Sequence, residues 1–352
     1  MMELYPVFQD GKTVSFIRTF GDYVEILRNG ASTLYLWSGT QGFRVKRTGA
    51  FFQSIYEEPL STSTLLREDL LEKRLSHASE KLRVILQGKT VMTDLSGGKD
   101  STAQLILLTK LQENIDFRLI AVYVHMPFLE PVENIDVAER IASKLDVDFY
   151  YAEADRRMVS FFLVREGLPR RGVRWCTYLK TKALRESRKV LGADFEAKGD
   201  RMLESGKRMS RLRALEGNNS FMQGRTLNLI YDFSAVETAK IVKDNKLVHP
   251  HYLQGIPRVS CRYCPYRSLY ELEAARNQFV EDEGFIEEAA HRLYDRYYSN
   301  VTSWDIFWSL ALWRIQPSLA RMRLKEVRNI DYTDTISSLR VRTMFRNMWE
   351  HI

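Results

Sequence analysis

The first sixty residues alternate apolar and polar side chains in short runs. Val14–Phe20, Tyr23–Leu27, Thr33–Trp37 and Phe43–Arg47 carry the alternation, interrupted at Gly21-Asp22, Asn29-Gly30 and Ser38-Gly39. A period of two predicts half-buried strands, and Asn-Gly predicts a tight hairpin because both residues tolerate positive φ. Residues 1–60 are therefore expected to form a small β-rich domain. Glu57–Thr64 (EEPLSTST) reads as a linker, and a charged helical stretch from Leu65 to about Leu86 makes residues 61–87 a linker helix.

From Thr90 the rhythm changes. Val91–Leu95, Arg118–His125 and Val147–Ala152 read as strands, with Ser101–Leu111 and Val132–Leu145 as the helices between them. A helix at about Thr177–Leu191, a strand at Asp194–Lys198 and a helix at Ala235–Asn245 continue the pattern. Strands alternating with helices predict an α/β fold: a Rossmann-like parallel sheet with helices on both faces, binding ligands at the carboxyl ends of its strands. This domain is expected over 88–270. Beyond Pro265 the pattern is helical, so 271–352 is expected to be a helical C-terminal region. Trp304, Trp308 and Trp313 lie within it, and at that spacing they read as core before they read as a base-stacking platform.

Composition narrows the setting. A chain of 352 residues holds about two domains. Met1–Gly11 lacks a basic start followed by an apolar stretch, and the longest apolar runs (Leu119–Val124, Ile306–Trp313) are too short for a bilayer, so a cytoplasmic protein without membrane contact is expected. Its three cysteines, Cys176, Cys261 and Cys264, are too few for a secreted disulfide framework and direct attention to metal or redox chemistry. Net charge is +7, yet residues 156–213 alone hold 17 Lys/Arg against 6 Asp/Glu. That local excess favours an anionic partner, either a nucleotide tail or an RNA backbone.

The chemistry concentrates on Ser96-Gly97-Gly98-Lys99-Asp100-Ser101, between a predicted strand and a predicted helix. Two glycines let backbone N–H groups turn toward one centre, and the helix start adds its partial positive charge. The Ser96 and Ser101 hydroxyls and the Lys99 ammonium complete a phosphate cradle. Its spacing differs from the G-x-x-x-x-G-K-[ST] loop of kinase-type NTPases. Asp94, on the strand entering the loop, is an unusual residue for a buried position and is expected to cap the loop or touch a metal.

SGGKDS after a strand resembles the signature of the PP-loop ATP pyrophosphatases, the adenine nucleotide alpha-hydrolase-like superfamily. Arg174-Trp175-Cys176-Thr177 with Lys180, Gly199-Asp200-Arg201-Met202-Leu203-Glu204-Ser205 with Arg208, and Asn228–Ser234 resemble successive motifs of its phosphoadenosine phosphosulfate (PAPS) reductase branch. His251–Gly255, leading into Cys261-Arg262-Tyr263-Cys264-Pro265, resembles that branch's closing segment. The resemblance implies that Ser96, Gly97, Gly98, Lys99, Asp100 and Ser101 contact phosphate, with Arg174, Lys180, Arg201 and Arg208 facing an anionic substrate. It makes Lys99, Ser101, Cys176 and Arg201 the candidate catalytic residues. Asp200 departs from the reductase pattern by setting a carboxylate beside Arg201. Mg²⁺ is expected to accompany ATP.

By the same resemblance Cys176, Cys261 and Cys264 line one site mouth. Three thiolates fit an iron–sulfur cluster with one iron lacking a protein ligand, as in tRNA-thiolating members of the superfamily. Zinc with His249 or His251 as fourth ligand, a redox dithiol and plain buried thiols stay open as alternatives. Two enzyme chemistries compete. In one, ATP adenylylates an acceptor such as tRNA, pyrophosphate leaves, and sulfur displaces AMP. In the other, a sulfonucleotide reductase cleaves sulfite from PAPS or adenylyl sulfate. The nucleophilic cysteine that thioredoxin-dependent reductases carry near their C-terminus has no counterpart after Cys264. A non-catalytic nucleotide sensor or RNA-binding protein is the third reading, and a homo-oligomer is compatible with all of them.

Overall fold

The computed structural model describes residues 4–45, 68–218, 220–327 and 332–352. The linker expected at Glu57–Thr64 lies outside these residues. Strands β1 (Tyr5–Gln9), β2 (Lys12–Phe20), β3 (Tyr23–Arg28), β4 (Ala31–Ser38) and β5 (Gln41–Val45) form an antiparallel meander. The β3–β4 turn leaves only Asn29 and Gly30 unpaired, at φ 49° and 74°. Positive φ at both positions matches the turn to strand twist, so the Asn-Gly hairpin forms as the sequence predicts.

Helix α1 (Glu68–Leu86) leads into the second layer system. It comprises β6 (Thr90–Asp94), α2 (Lys99–Gln112), β7 (Arg118–His125), α3 (Glu133–Lys144), β8 (Asp148–Glu153), α4 (Arg156–Glu166), α5 (Trp175–Val190), β9 (Phe195–Ala197), α6 (Gly206–Gly217), β10 (Met222–Gln223), β11 (Thr226–Leu227) and α7 (Ala235–Asp244). The strand order is β10-β11-β9-β6-β7-β8, parallel except for β10. Val91, Leu119, Ala121 and Tyr123 pack on one face with Leu82, Leu105 and Ile141 of α1, α2 and α3. Met92, Ile120, Val122 and Val124 pack on the other with Ala183 of α5. A strand covered on both faces needs a continuous apolar run, which is why Arg118–His125 is buried at every position after its first. The expected α/β fold is therefore present, with helices on both faces.

The chain leaves β6 toward β7 on one side and later returns to place β9 on the other. At such a switch point the loops after the two strands diverge and open a crevice. Here the loops that leave the two strands are residues 95–98 and 198–201.

The closing part contains α8 (Pro250–Leu253), α9 (Leu269–Ala274), α10 (Glu283–Tyr297), α11 (Trp304–Ser309), α12 (Pro317–Val327), β12 (Tyr332–Ser337) and α13 (Ser338–His351). It is mainly helical, as expected, but β12 pairs antiparallel with β5 and completes the N-terminal sheet. The two chain ends thus build one module, held together by apolar packing and a buried ion triad and tied by Tyr5 to the segment that follows α8. Tyr5 meets Phe345 edge-on at 5.4 Å, and its hydroxyl donates to the Pro257 carbonyl at 2.6 Å. Asp22, 2% exposed, accepts from both Arg314 and Arg323. Trp304, Trp308 and Trp313 pack against the apolar core, as their spacing predicts, and none of the described helices is long and apolar enough to cross a membrane.

Candidate active site

The loop between β6 and α2 is closed by its own serines. Ser96 N donates to Ser101 Oγ at 3.1 Å, the two hydroxyls stand 3.0 Å apart, and Ser101 Oγ lies 3.0 Å from the Gly98 carbonyl oxygen. Gly97 takes φ 73°, the left-handed region, and a Cβ there would come within 3.1 Å of the His249 ring. Glycine is needed at 97 for both reasons. Gly98 caps α2 without any side-chain cap hydrogen bond.

Behind the loop lies a buried network centred on Asp100. Arg201 Nε donates to Asp100 Oδ1 at 2.9 Å, Thr238 Oγ1 reaches the same oxygen at 2.8 Å, and Lys99 Nζ stands 3.0 Å from Oδ2. Burial by itself raises the Asp100 pKa, but the Arg201 guanidinium and the Lys99 ammonium hold the carboxyl well below the usual range. Lys99 is 3% exposed and Arg201 fully buried. Lys99 was expected to contact phosphate and Arg201 to face the anionic substrate. As the chain lies here, the charged ends of both side chains lie against Asp100 and brace the loop. Arg201 also donates to the Phe233 carbonyl at 3.2 Å.

The neighbouring motifs converge on the same place. A Cβ at Gly199 would stand 2.8 Å from the Asp100 carbonyl oxygen and 3.0 Å from Ser101 N, so only glycine lets the segment after β9 lie against the first turn of α2. Ser234 caps α7 and brings Thr238 to Asp100. Tyr252, on α8, accepts the Lys99 N–H through its hydroxyl at 2.9 Å. Asp200 pairs with Arg208 at 3.0 Å and Arg211 at 2.5 Å, so its charge is answered without drawing on Arg201. Arg208 also pairs with Glu204. Arg174 is exposed over the Tyr266 ring at 4.8 Å, while Lys180 lies 3.4 Å from the buried Glu130 carboxylate.

Two further carboxyl-end groups stand out. Asp94 Oδ1 is buried with no hydrogen-bond partner among the described residues, and burial together with nearby Glu196 pushes its pKa up to about 7. His125, on β7, is buried between Tyr123 and Tyr151, and burial lowers its pKa.

Cys176 occupies the first turn of α5, and Cys261 and Cys264 bracket a tight turn ahead of α9. All three are unpaired and half-buried. Burial raises the Cys176 and Cys261 pKa values; Cys264 adds to the first, and Glu130, Cys264 and Cys176 add to the second. Thiols from distant segments thus lie within reach of each other's charge, a donor set of the soft kind that iron–sulfur clusters and zinc use. Two arginines support the turn: Arg258 donates to Cys264 Sγ at 3.7 Å, and buried Arg267 holds the Ser260 carbonyl at 2.9 Å. No group of three His, Cys, Asp or Glu among the described residues stands at metal-holding distance as the chain lies here. His249 Nδ1 accepts the His251 N–H at 3.2 Å while its buried Nε2 has no hydrogen-bond partner among the described residues, and His251 lies with Gln278 and Glu133. Sequence reasoning assigned no role to Tyr252, Thr238, Glu130 or Arg267; Tyr252 alone sat in a quoted motif.

Residues 90–267, just over half of the chain, match the phosphoadenosine phosphosulfate reductase domain. The chain belongs to that family. Among relatives of this PAPS reductase family member, an uncharacterised protein of Methanocaldococcus jannaschii is 25% identical over 205 residues, 56% of this chain and 47% of that protein. The tRNA-cytidine(32) 2-sulfurtransferase of Colwellia psychrerythraea is 23% identical over 208 residues, 58% of this chain and 64% of that enzyme. The family member therefore spans between about half and two thirds of the length of these relatives. Among solved structures, the U34-tRNA thiolase NcsA of Methanococcus maripaludis with its [4Fe-4S] cluster gives a TM-score of 0.39 at 16% identity, covering 74% of this chain and 80% of that one.

Proposed function

We propose that this PAPS reductase family member is an ATP-dependent sulfurtransferase that thiolates a nucleic-acid acceptor, with tRNA as the favoured class. The observation that carries the reading is the gathering of Cys176, Cys261 and Cys264 in a domain that also carries the glycine loop ahead of α2. A relative named as a tRNA-cytidine sulfurtransferase supports the acceptor class.

In this reading the loop amides and the start of α2 hold the phosphate chain of ATP, and Asp100, Arg201 and Thr238 keep that loop rigid. Preorganised donors stabilise charge developing on phosphate without reorganising at the moment of reaction. The acceptor's carbonyl oxygen attacks the α-phosphorus, the bond to the β-phosphate oxygen breaks, and pyrophosphate leaves with the electron pair. A sulfide-level sulfur nucleophile then adds to the activated carbon and AMP departs with the oxygen. Sulfide replaces oxygen at the same oxidation level, so no redox partner is required. Mg²⁺ accompanies the nucleotide as a charge-neutralising ion.

The three thiols would hold an iron–sulfur cluster, with the buried Arg267 and the nearby Arg258 offsetting its negative charge. When bound, such a cluster supplies soft-metal sulfur chemistry at an iron without a protein ligand. Anaerobic purification with iron and acid-labile sulfide analysis tests the ligand set: wild type is expected brown, and Cys176→Ser, Cys261→Ser and Cys264→Ser colourless. Stoichiometric zinc in a colourless wild-type protein would move the assignment to a structural metal. The reaction is tested by asking whether pyrophosphate appears from ATP when bulk tRNA is supplied. Release of sulfite from PAPS or adenylyl sulfate instead would establish the reductase chemistry.

A further inference from the structure

Beside the cysteine turn lies a cavity of about 420 Å³ that the phosphate loop does not share. Its floor is Arg262 and Tyr263, the two residues between Cys261 and Cys264. Its walls come from the chain's added modules: Trp37, Gly39 and Thr40 from the N-terminal sheet, and Trp308, Ser309 and Trp313 from the helical region. All of these wall residues lie outside the span that matches the family domain.

The lining has a particular chemistry. Tyr263 lies near two indoles, its ring centroid 6.3 Å from Trp308 and 6.2 Å from Trp313, tilted by 34° and 59°. Tyr263 and Trp308 are half-buried, so aromatic surface remains open to the cavity, whereas Trp37 and Trp313 are buried and rigid. Thr40 and Ser309 supply hydroxyls that can donate or accept, and the exposed Arg276 stands at the rim. The acidic lining residue, Glu273, is already answered by Arg342 at 3.3 Å and Ser338 at 2.7 Å. What stays open is a slot edged by the remaining aromatic surface of Tyr263, which Arg262 overlies, and of Trp308, which stacks on Trp304, with neutral hydroxyls and the Arg276 cation beside it. Such a slot suits one unit of a nucleic-acid strand: a base stacked on aromatic faces, its edge met by hydroxyls, and its phosphate met by a guanidinium. An acidic or aliphatic peptide would leave the stacking surface unused.

We infer that this cavity anchors a single-stranded base of the acceptor RNA next to the cysteine turn. The inference rests on the sulfurtransferase reading and adds to it the place where the acceptor strand is held. It also gives the N-terminal sheet and helical tail a task, since without them the cysteine turn has no walled pocket.

The experiment uses the full chain and a short single-stranded RNA labelled for anisotropy, at fixed ionic strength, with the mononucleotides UMP and CMP as competitors. Trp308→Leu keeps apolar packing and removes stacking, so RNA binding is expected to weaken about 10-fold, the scale of one lost base–aromatic stack. Trp308→Phe is expected to retain most of the affinity. Arg276→Ala is expected to weaken binding and flatten its salt dependence by about one charge. ATP binding is expected to be unchanged in all three variants. RNA affinities equal to wild type in Trp308→Leu and Arg276→Ala would overturn the pocket while leaving the sulfurtransferase reading intact. Wild type that binds no RNA would overturn the pocket too; pyrophosphate released from ATP with another acceptor would then locate the failure in the acceptor class. Mononucleotides that compete as strongly as the RNA would make the pocket a free-nucleotide site and overturn the strand anchor.

Discussion

The Tyr252 hydroxyl accepts the backbone N–H of Lys99 at 2.9 Å. The Tyr252 ring lies stacked on Trp349, with centroids 4.6 Å apart. The first amide of the phosphate loop's helix is thereby tied, through one aromatic pair, to the last helix of the chain. Tyr252→Phe keeps the stack and removes the acceptor, leaving a buried amide unsatisfied at a cost of about 1–3 kcal/mol. Nucleotide affinity, read by isothermal titration, is expected to fall several-fold with little change in secondary structure by circular dichroism.

Ser101 closes the loop and Lys99 compensates Asp100, so both act by shaping the cradle. Ser101→Ala and Lys99→Ala are expected to weaken ATP binding at least 10-fold while the chain stays folded. Unchanged ATP affinity in both would remove the loop from the binding site. Asp100→Ala is the harsher change, because it strands the buried Arg201; a loss of about 3–5 kcal/mol in urea unfolding is expected.

Gly199→Ala places a methyl group 2.8 Å from the Asp100 carbonyl oxygen. Backbone cannot yield as a flexible side chain does, so the first turn of α2 has to shift. A loss of about 1–3 kcal/mol in stability and a larger fractional loss of nucleotide affinity are expected. Gly206, where an added Cβ meets nothing, serves as the neutral control.

Asp94 gives a pH signature. Its folded pKa, about 7, lies above the ordinary 3.8, so the folded state holds a proton that the unfolded chain releases. Its stabilising contribution is complete below about pH 4 and is lost as pH rises through 7. Denaturant midpoints from pH 4 to pH 8 are expected to fall by on the order of 3 kcal/mol on this account. Asp94→Asn is expected to flatten that slope and to be the more stable protein at pH 8.

Asp22 joins the N-terminal sheet to the helical tail through Arg314 and Arg323. Asp22→Ala leaves two buried guanidinium groups facing each other, and a loss of about 3–5 kcal/mol is expected. Because these modules wall the cavity beside Tyr263, the same variant is expected to lose RNA binding before ATP binding.

Much of the architecture was legible because it is local. The period of two from Val14 to Trp37, the Asn29-Gly30 turn and the apolar run Arg118–His125 each encode their element within a few residues. Strand β1 and helices α4 and α6 were not predicted although they are local, and three further strands escaped notice for want of a pattern of their own. Strand β12 is held by β5, nearly three hundred positions earlier, and β10 and β11 are two-residue strands with no room for a pattern.

The sequence by itself determined the family and singled out the glycine loop at 96–101 and the three cysteines, since glycine spacing and thiol identity are properties of short segments. Only the tertiary structure decided that Arg201 turns inward, because it meets Asp100 from 101 positions away, as Thr238 does from 138. A charge settles on whichever opposite charge shares its low-dielectric surroundings, and those surroundings exist only once the chain has folded.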